Sequence, residues 1–437
     1  MEDLAGYRGA GLDFLKKAKA KVGDVLEVKT QWGPVTGTVV PRYALGDDSH
    51  IVLKLSTGYN VGLEVSRLAG AKVKAKGEVP SFKPPPVPKA KETLPRVLVL
   101  GTGGTIASRI DYRTGAVTPA VSAGELHALI PELSDIARIE PEILFSVLSE
   151  DMGPSHWSAI AKRIEKAVKA GIDGVVVTHG TDTMGYTAAA LSFALAGVPV
   201  PVVLVGAQRS SDRPSSDATL NLLGGVSVAG AAPFAGVYVA MHLDESDELI
   251  ALHRGTRVRK NHTSRRDAFV SVGVPTAAVW GRDGLQFVDQ GLPARGGSGF
   301  RPRTEFQEKV ALLKFYPSMP ASMIKSAEEA GFRGIVIEGT GLGHTSKECI
   351  GALRSFIKGG GLAFMTSQCI NGRVDMNVYE NGRDLLQAGV DPLEDMLSET
   401  ALVKAMWALG NSASAEEAKR LMKEDVAGET TQRGFPG

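Results

Sequence analysis

Two segments rich in glycine and threonine, each placed directly after a short aliphatic run, constrain the fold of this chain most. Residues 101–107 follow the run at 97–100, and residues 178–183 follow the run at 175–177. Such runs are typical of buried parallel strands, and open α/β sheets bind ligands at the carboxyl ends of their strands. Thr102 is then expected in a turn with a free hydroxyl, near backbone N–H groups that can stabilise an oxyanion. The pattern predicts an amidohydrolase with a threonine nucleophile.

Alternation of strand, glycine turn and helix continues from residue 96 to the end of the chain. This order predicts an α/β fold of doubly wound parallel sheets in two lobes. We expect the first lobe at residues 96–280 and the second at 306–437. The segment at 281–305, rich in Gly, Pro and Arg, is predicted to link them.

The amino-terminal quarter has a different character. Residues 1–70 are predicted to form a short helix at 4–19 followed by a small SH3-like β-barrel, because short alternating runs are separated by turn signals. Residues 71–95 combine lysines with six prolines and predict an extended, semi-rigid linker. Lys72, Lys74 and Lys76 begin that linker.

Composition places the chain among globular proteins of two or three domains, with 437 residues, 43% hydrophobic and 22% charged. The net charge is +1, but residues 1–96 carry 16 Lys and Arg against 10 Asp and Glu. This surplus indicates a polyanionic partner for that segment, and a solvated lysine-rich face is the alternative.

Cysteine use and hydropathy predict a cytoplasmic location without a membrane span. Cys349 and Cys369 have no metal-ligand spacing and are predicted to be free thiols. The amino terminus lacks the pattern of a signal peptide. The longest apolar stretch, residues 191–205, is interrupted by two prolines and is predicted to be a helix end followed by a buried strand.

Several ordered motifs resemble the bacterial-type L-asparaginase family. They are residues 102–107, Ser149-Glu150-Asp151-Met152, residues 178–183, residues 205–209 and Gly341-Leu342-Gly343. When the barrel, the proline-rich linker and residues 259–269 are included, the whole chain is similar to the D subunits of archaeal glutamyl-tRNA(Gln) amidotransferases.

The resemblance implies a catalytic set. Thr102 is matched to the first threonine, the nucleophile that forms an acyl-enzyme, and Thr181, Lys260 and Asp182 to a Thr–Lys–Asp set. A hydroxyl needs a base and a group that orients the base, and a lysine serves as a base only if its surroundings favour the neutral amine. Whether Thr102 or Thr181 attacks first is left open.

The resemblance also implies a site for an amino-acid zwitterion. Ser149 and Glu150 match positions that hold the α-carboxylate and the α-ammonium, and Asp182 is expected to share the ammonium. Gly101 and Gly180 are assigned to substrate binding as well.

Two further positions are matched less closely by the resemblance. Tyr112 is the candidate for the tyrosine of the family's mobile loop. His344 stands where many asparaginases carry an asparagine that reaches into the neighbouring protomer. No metal site is expected.

Each assignment has a simpler alternative. The Thr102 hydroxyl can cap the following helix. Lys260 lies in a run with four arginines that is also typical of a solvated or anion-binding loop. His179, between a strand end and a glycine, is interpreted as structural rather than as a general base.

Three functions remain open at this point. In the first, the chain hydrolyses glutamine and passes ammonia to the E subunit of the amidotransferase, which activates Glu-tRNA(Gln), in a homodimer that holds two partner subunits (a heterotetramer). ATP and Mg²⁺ are then expected at the partner, because no Walker-type motif occurs here. The second is a free-standing L-asparaginase, and the third is an inactive scaffold or RNA-binding protein. The basic amino-terminal segment favours the first function, and the intact catalytic set argues against the third.

Overall fold

The structure, a computed structural model, describes most of the chain in two units. The described residues are 4, 6–40, 42, 47–57, 59–77, 91–104, 106, 108–110, 117–119, 126, 130–209 and 215–432. One unit comprises residues 1–85 with 108–120, and the other comprises 86–107 with 121–437.

A five-stranded antiparallel sheet with one helix forms the amino-terminal part. Its elements are α1 (Gly9–Lys17), β1 (Val25–Thr30), β2 (Gly33–Val39), β3 (His50–Lys54), β4 (Asn60–Glu64) and β5 (Leu68–Ala75), with strand order β4-β3-β2-β1-β5. Alternate residues such as Leu26, Val28, Ile51 and Leu53 are fully buried with Leu15 of α1.

The connection between the two edge strands shows that this sheet is curled. Only the short turn Val65–Arg67 joins β4 to β5. Four peptide steps reach about 15 Å at most, whereas the edges of a flat five-stranded sheet lie about 19 Å apart. A small barrel-like sheet therefore lies here, and its assignment as SH3-like stays a prediction.

Two boundaries in this part differ from the sequence prediction. The predicted helix at 4–19 is shorter, because α1 spans only Gly9–Lys17. Strand β5 pairs with β1 as far as Ala75, so the first residues of the predicted linker belong to the sheet. A separate antiparallel pair follows later in the chain, β7 (Ser108–Ile110) with β8 (Val117–Pro119).

An eight-stranded sheet forms the core of the first lobe. Its strands are β6 (Arg96–Gly103), β9 (Arg138–Val147), β10 (Gly174–Thr178), β11 (Pro201–Val205), β12 (Gly236–His242), β13 (Ile250–Arg254), β16 (Ala278–Gly281) and β17 (Gly284–Phe287). Their order is β17-β16-β13-β12-β11-β10-β6-β9. Strands β10 and β11 are buried along their whole length, as expected of parallel strands covered on both faces.

The predicted α/β fold is confirmed, but the sheet is mixed rather than wholly parallel. The five strands from β9 to β12 in that order run parallel, and β13, β16 and β17 extend the sheet antiparallel. Strand β17 lies inside the segment at 281–305 that was predicted to be a linker. Its alternation is too short to distinguish from a loop in the sequence.

A four-stranded parallel sheet organises the second lobe, with the order β18 (Val310–Lys314), β19 (Gly334–Gly339), β20 (Leu362–Ser367) and β21 (Asp391–Pro392). A separate hairpin of β14 (Val258–Lys260) and β15 (Phe269–Ser271) leaves the first sheet. The remaining helices among the described residues are α2 (Leu133–Ile136), α3 (Pro154–Lys169), α4 (Met184–Ala194), α5 (Ala218–Ala231), α6 (Ser322–Glu329), α7 (Lys347–Lys358), α8 (Glu380–Ala388), α9 (Ser398–Gly410) and α10 (Ala415–Lys423).

Helix α4 joins the two lobes because it is apolar on all sides. Its residues Ala189, Ala190 and Phe193 are fully buried in one cluster with α9, where the Phe193 and Trp407 rings stack at 5.7 Å. The start of α4 follows directly from residues 178–183, so this packing also fixes the second motif. Among the described residues, no helix is both long and apolar enough to cross a bilayer.

Candidate active site

The two threonine-rich motifs lie side by side, because β6 and β10 are neighbours in the sheet. Gly101 is opposite Thr178 in the register. Just beyond the strand end, a Cβ atom on Gly104 would lie 2.8 Å from the backbone N of Gly180, and the φ of Gly104 is +78°. Only glycine combines that backbone conformation with so close an approach. The glycines of the first motif therefore let it contact the second.

A lysine, a threonine and an aspartate meet at this strand end. The Lys260 Nζ atom donates hydrogen bonds to Thr181 Oγ1 at 2.9 Å and to Asp182 Oδ1 at 2.7 Å. The Lys260 side chain is only 13% exposed, whereas Asp182 is 70% exposed. The amine is thus held between a hydroxyl and a carboxylate that faces solvent, in the arrangement that a base and its orienting group require.

Lys260 reaches this position from a hairpin that is anchored in the core. It pairs with Phe269 across β14 and β15, and Asn261 N donates to Ala268 O at 2.7 Å. Val258, Ala268 and Phe269 are buried in the main apolar cluster of the first lobe. The arginines around Lys260 suggested a solvated loop, but these apolar residues fix its backbone.

Ser149 and Glu150 lie beside the same cluster. The Ser149 hydroxyl is within 3.5 Å of Asp182 Oδ2 and 3.4 Å of Glu150 Oε2. A Cβ on Gly180 would lie 2.6 Å from Ser149 Cβ, so this glycine is also needed for close packing. Thr183 Oγ1 donates to the Ser149 carbonyl at 2.6 Å and connects the two segments. Sequence reasoning assigned no role to Thr183, although it is part of the second motif.

Thr102 does not occupy the position that the sequence predicted. Its side chain is fully buried, and its Oγ1 donates to the Thr178 carbonyl at 2.8 Å. The expectation of a free hydroxyl in an exposed turn is therefore wrong, because strand β6 continues through Thr102 to Gly103. Gly101 likewise lies inside this strand, opposite Thr178 and Ile143, rather than at its end. Tyr112 lies outside the described residues.

His179 holds the second motif in place through a buried chain of hydrogen bonds. Its Nδ1 is 2.6 Å from Gly180 O, its Nε2 is 2.8 Å from Thr187 Oγ1, and Trp157 Nε1 donates to that hydroxyl at 3.0 Å. A carbonyl only accepts, so Nδ1 carries the proton and Nε2 accepts from Thr187. Burial lowers the pKa of His179 to about 4, so the ring is neutral near pH 7. This geometry agrees with a structural role. Thr187 and Trp157 were not singled out from the sequence, since nothing local marks them.

The described residues contain no group of three or more His, Cys, Asp and Glu side chains arranged to hold a metal ion. The site thus combines one amine, hydroxyl groups and carboxylates. Such a set can bind an amino acid by its charged ends and remove a proton from a hydroxyl.

Comparisons with known proteins agree with this architecture. Family models match residues 20–73 (GatD N-terminal domain), 96–291 (Asparaginase, N-terminal) and 309–422 (Glutaminase/Asparaginase C-terminal domain). The D subunit of the glutamyl-tRNA(Gln) amidotransferase of Pyrococcus furiosus is 48% identical over 428 residues, which cover 96% of this chain and 97% of that protein. The D subunit from Metallosphaera sedula is also 48% identical, over 98% of this chain and 97% of that protein.

The chain belongs to the family of glutamyl-tRNA(Gln) amidotransferase D subunits. The asparaginase-like part has solved relatives of its own. The thermostable L-asparaginase from Thermococcus kodakarensis has a TM-score of 0.69 and 33% identity, and the match covers 77% of this chain and all of that one. The L-asparaginase I from Vibrio cholerae has a TM-score of 0.67 and 27% identity over 78% of this chain. The resemblance found in the motifs is confirmed, and the family match extends through the amino-terminal segment, which precedes the asparaginase models.

Proposed function

We propose that this chain is the glutaminase component of a tRNA-dependent amidotransferase, which releases ammonia from glutamine for the conversion of Glu-tRNA(Gln) to Gln-tRNA(Gln) by a partner protein. One observation carries this proposal. Relatives named as amidotransferase D subunits match 96% to 98% of the chain, whereas an L-asparaginase is matched in full by only 77% of it. A free-standing L-asparaginase does not account for the segment at 20–73.

The charged groups around Lys260 support a glutamine site. The substrate α-ammonium is held by the carboxylates of Glu150 and Asp182, which lie 3.4 and 3.5 Å from the Ser149 hydroxyl. Ser149 donates to the α-carboxylate. Fixing both charged ends orients the side-chain amide and lowers the entropy cost of the attack.

In the proposed chemistry, Lys260 accepts the proton of Thr181 across the 2.9 Å contact between Nζ and Oγ1, a step that requires the neutral amine. Asp182 orients the amine. The threonine oxygen attacks the amide carbon, and backbone N–H groups at the strand ends stabilise the oxyanion. Lys260 returns the proton to the leaving nitrogen, so ammonia departs and an acyl ester remains. Water then hydrolyses the ester to glutamate and restores the hydroxyl.

The second hydroxyl of the catalytic set is reassigned within the first motif. Thr102 was the predicted nucleophile, but its proton is bonded to the Thr178 carbonyl inside the sheet. We assign the second catalytic hydroxyl to Thr105, the other threonine of the motif, which lies outside the described residues; the attacking oxygen in the chemistry above is that of Thr181. Gly104, immediately before it, packs against the residues that precede Thr181.

The assembly that we propose contains the amidotransferase E subunit as the partner, with ATP and Mg²⁺ bound there, and a homodimer of this chain. The dimer proposal is supported by the resemblance to asparaginases and by the prevalence of two-fold symmetry among closed oligomers. The free cysteines Cys349 and Cys369 agree with a cytoplasmic location.

Hydrolysis of glutamine and of asparagine, each measured with and without the E subunit and Glu-tRNA(Gln), tests the function. We expect glutamine hydrolysis that the partner and the tRNA accelerate, and its loss in Lys260→Met. The control Lys162→Met removes an exposed lysine that pairs with Glu305, and it should retain activity. Efficient asparagine hydrolysis by the chain alone, unaffected by partner and tRNA, would show a free-standing L-asparaginase instead.

A further inference from the structure

The segment at residues 425–431 is held by buried charges rather than by apolar packing alone. We call residues 425–431 the C-terminal strap; it follows α10 and lies beyond the matched asparaginase C-terminal domain, which ends at residue 422. Lys404 and Glu429 form an ion pair in which both side chains are at most 1% exposed. Glu429 also accepts the backbone N–H groups of Val426 and Ala427, at 3.0 and 2.7 Å.

The charges of Lys404 and Glu429 make the contact between the strap and α9 specific, because neither charge can be buried without the other. Burial by itself raises the pKa of Glu429, but the Lys404 ammonium and the two backbone N–H groups lower it, and the pKa lies below its ordinary value. Removing one partner of such a pair leaves an uncompensated buried charge. The pair therefore fixes the strap against α9.

A second buried cation, Arg257, connects the strap to the first lobe. This side chain is 1% exposed, and its Nη1 donates to the carbonyls of Glu429 at 3.0 Å and Asp395 at 2.9 Å. Its Nη2 donates to Asp395 Oδ2 at 3.0 Å, and the backbone N of Thr431 donates to the same carboxylate at 2.9 Å. Thr256 Oγ1 adds a bond to the Ala427 carbonyl at 3.0 Å.

Arg257 also lies at the open end of the hairpin that carries Lys260, directly before its first strand. Its Nε donates to Val272 O at 3.0 Å, and Val272 N donates to the Arg257 carbonyl at 2.8 Å. Strand β14 begins at the next residue, and Lys260 is its last residue. At about 3.3 Å per residue, the Lys260 backbone lies about 10 Å from the hydrogen bonds between Arg257 and Val272. No loop or glycine intervenes between Arg257 and Lys260 to absorb a shift.

We propose that the C-terminal strap positions Lys260 for catalysis by holding Arg257, and with it both strands of the β14–β15 hairpin, in place. The strap residues touch neither the hydroxyl nor the carboxylate at the site, so they are positioning residues. The inference rests on the proposed function only in taking Lys260 as the catalytic base. Its geometric content, control of the hairpin by the strap, is independent of activity.

The test uses two variants of the full chain, in complex with its partner, that weaken the contacts of the strap. Glu429→Gln removes the buried charge, and the milder Thr256→Val removes only the bond to Ala427. The control Glu142→Gln removes the charge from the bidentate pair with Arg163 elsewhere in the first lobe. Glutaminase kcat, KM and the pH profile of kcat are measured, with the folded fraction from circular dichroism. Hydrogen exchange of the segment at 258–271 reports on the hairpin directly.

We expect kcat per folded molecule to fall about 10- to 100-fold in Glu429→Gln, the cost of displacing a catalytic group by about 1 Å. KM should change little, and the pH midpoint of kcat should shift. Exchange at 258–271 should rise in both of these variants and not in the control. Unchanged exchange in the hairpin, or a kcat that follows only the folded fraction at an unshifted pH midpoint, would overturn the proposal. Faster exchange in the two variants, together with a wild-type complex that lacks glutaminase activity, would refute the proposed function. It would not refute the control of the hairpin by the strap.

Discussion

Replacing Thr102 and Thr181 separately by valine distinguishes a structural hydroxyl from a catalytic one. Both changes conserve shape and remove one oxygen. In Thr102→Val, the buried Thr178 carbonyl loses a donor, which costs about 1–3 kcal/mol of unfolding free energy. In Thr181→Val, Lys260 loses a partner at the edge of the site, but it keeps Asp182 at 2.7 Å. The stability cost of the second change should therefore be the smaller one.

The effects on activity should have the opposite order. We expect Thr181→Val to lower kcat of glutamine hydrolysis by about 10³- to 10⁶-fold, the range found when a member of a nucleophilic set is removed. This corresponds to about 4–8 kcal/mol of activation free energy. Thr102→Val should stay within about tenfold of wild type, because no step that we propose uses its hydroxyl. Thr105→Val, measured in parallel, should resemble Thr181→Val.

The assay measures glutaminase kinetics in the complex with partner and tRNA, alongside urea unfolding of each variant. Thr102→Ser and Thr181→Ser are the matched controls, since each keeps a hydroxyl. The reasoning is refuted if Thr102→Val loses more than about 10³-fold in kcat at unchanged stability, while Thr105→Val stays active. That result would restore Thr102 to the catalytic set in place of Thr105.

Three further outcomes follow from the same contacts. Burial lowers the pKa of His179 and His253 to about 4, below the ordinary value of about 6.5. The stability that is present above pH 6.5 should therefore be lost as the pH falls toward 4, by about 3 kcal/mol of unfolding free energy per histidine. A Tm that does not change between pH 7.5 and 4.5 would contradict this. Gly104→Ala should lower glutaminase kcat at least about tenfold, because the added Cβ meets the Gly180 backbone. The control Gly171→Ala has a similar φ of +76° with open space around it, and it should cost only about 1 kcal/mol of stability. Equal activity in the two variants would argue against the close packing. Deleting residues 1–92 should leave glutamine hydrolysis in place and weaken tRNA-dependent amidation, and an undiminished amidation rate at low and high salt would show that this part has no role in recognition.

The sequence predicted the parts of this molecule that local patterns encode. Aliphatic runs such as residues 175–177 must be buried on both faces, so they located the parallel strands. The Lys260–Thr181–Asp182 contact joins residues about 80 positions apart, and only the family resemblance suggested it. Composition and periodicity alone contain no information on such a contact.

The errors arose where the outcome depends on tertiary partners. Gly101 and Thr102 were expected in a turn, but pairing with both neighbouring strands extends β6 to Gly103. Lys72 and Lys74 were expected in a linker, but they lie in strand β5, where Lys74 pairs with Glu27 at 3.0 Å. Neither the length of a strand nor the pairing of a charge across a sheet can be determined from its own segment.

Supplying ammonia in place of glutamine tests the central claim most directly. The complex of Thr181→Val with the E subunit is given Glu-tRNA(Gln), ATP and Mg²⁺, and Gln-tRNA(Gln) formation is measured with either nitrogen donor. We predict that glutamine supports no amidation in this variant, while ammonium chloride supports amidation at the wild-type rate. Failure of ammonia to restore the product, with the complex still assembled, would contradict the assignment of this chain as the source of ammonia.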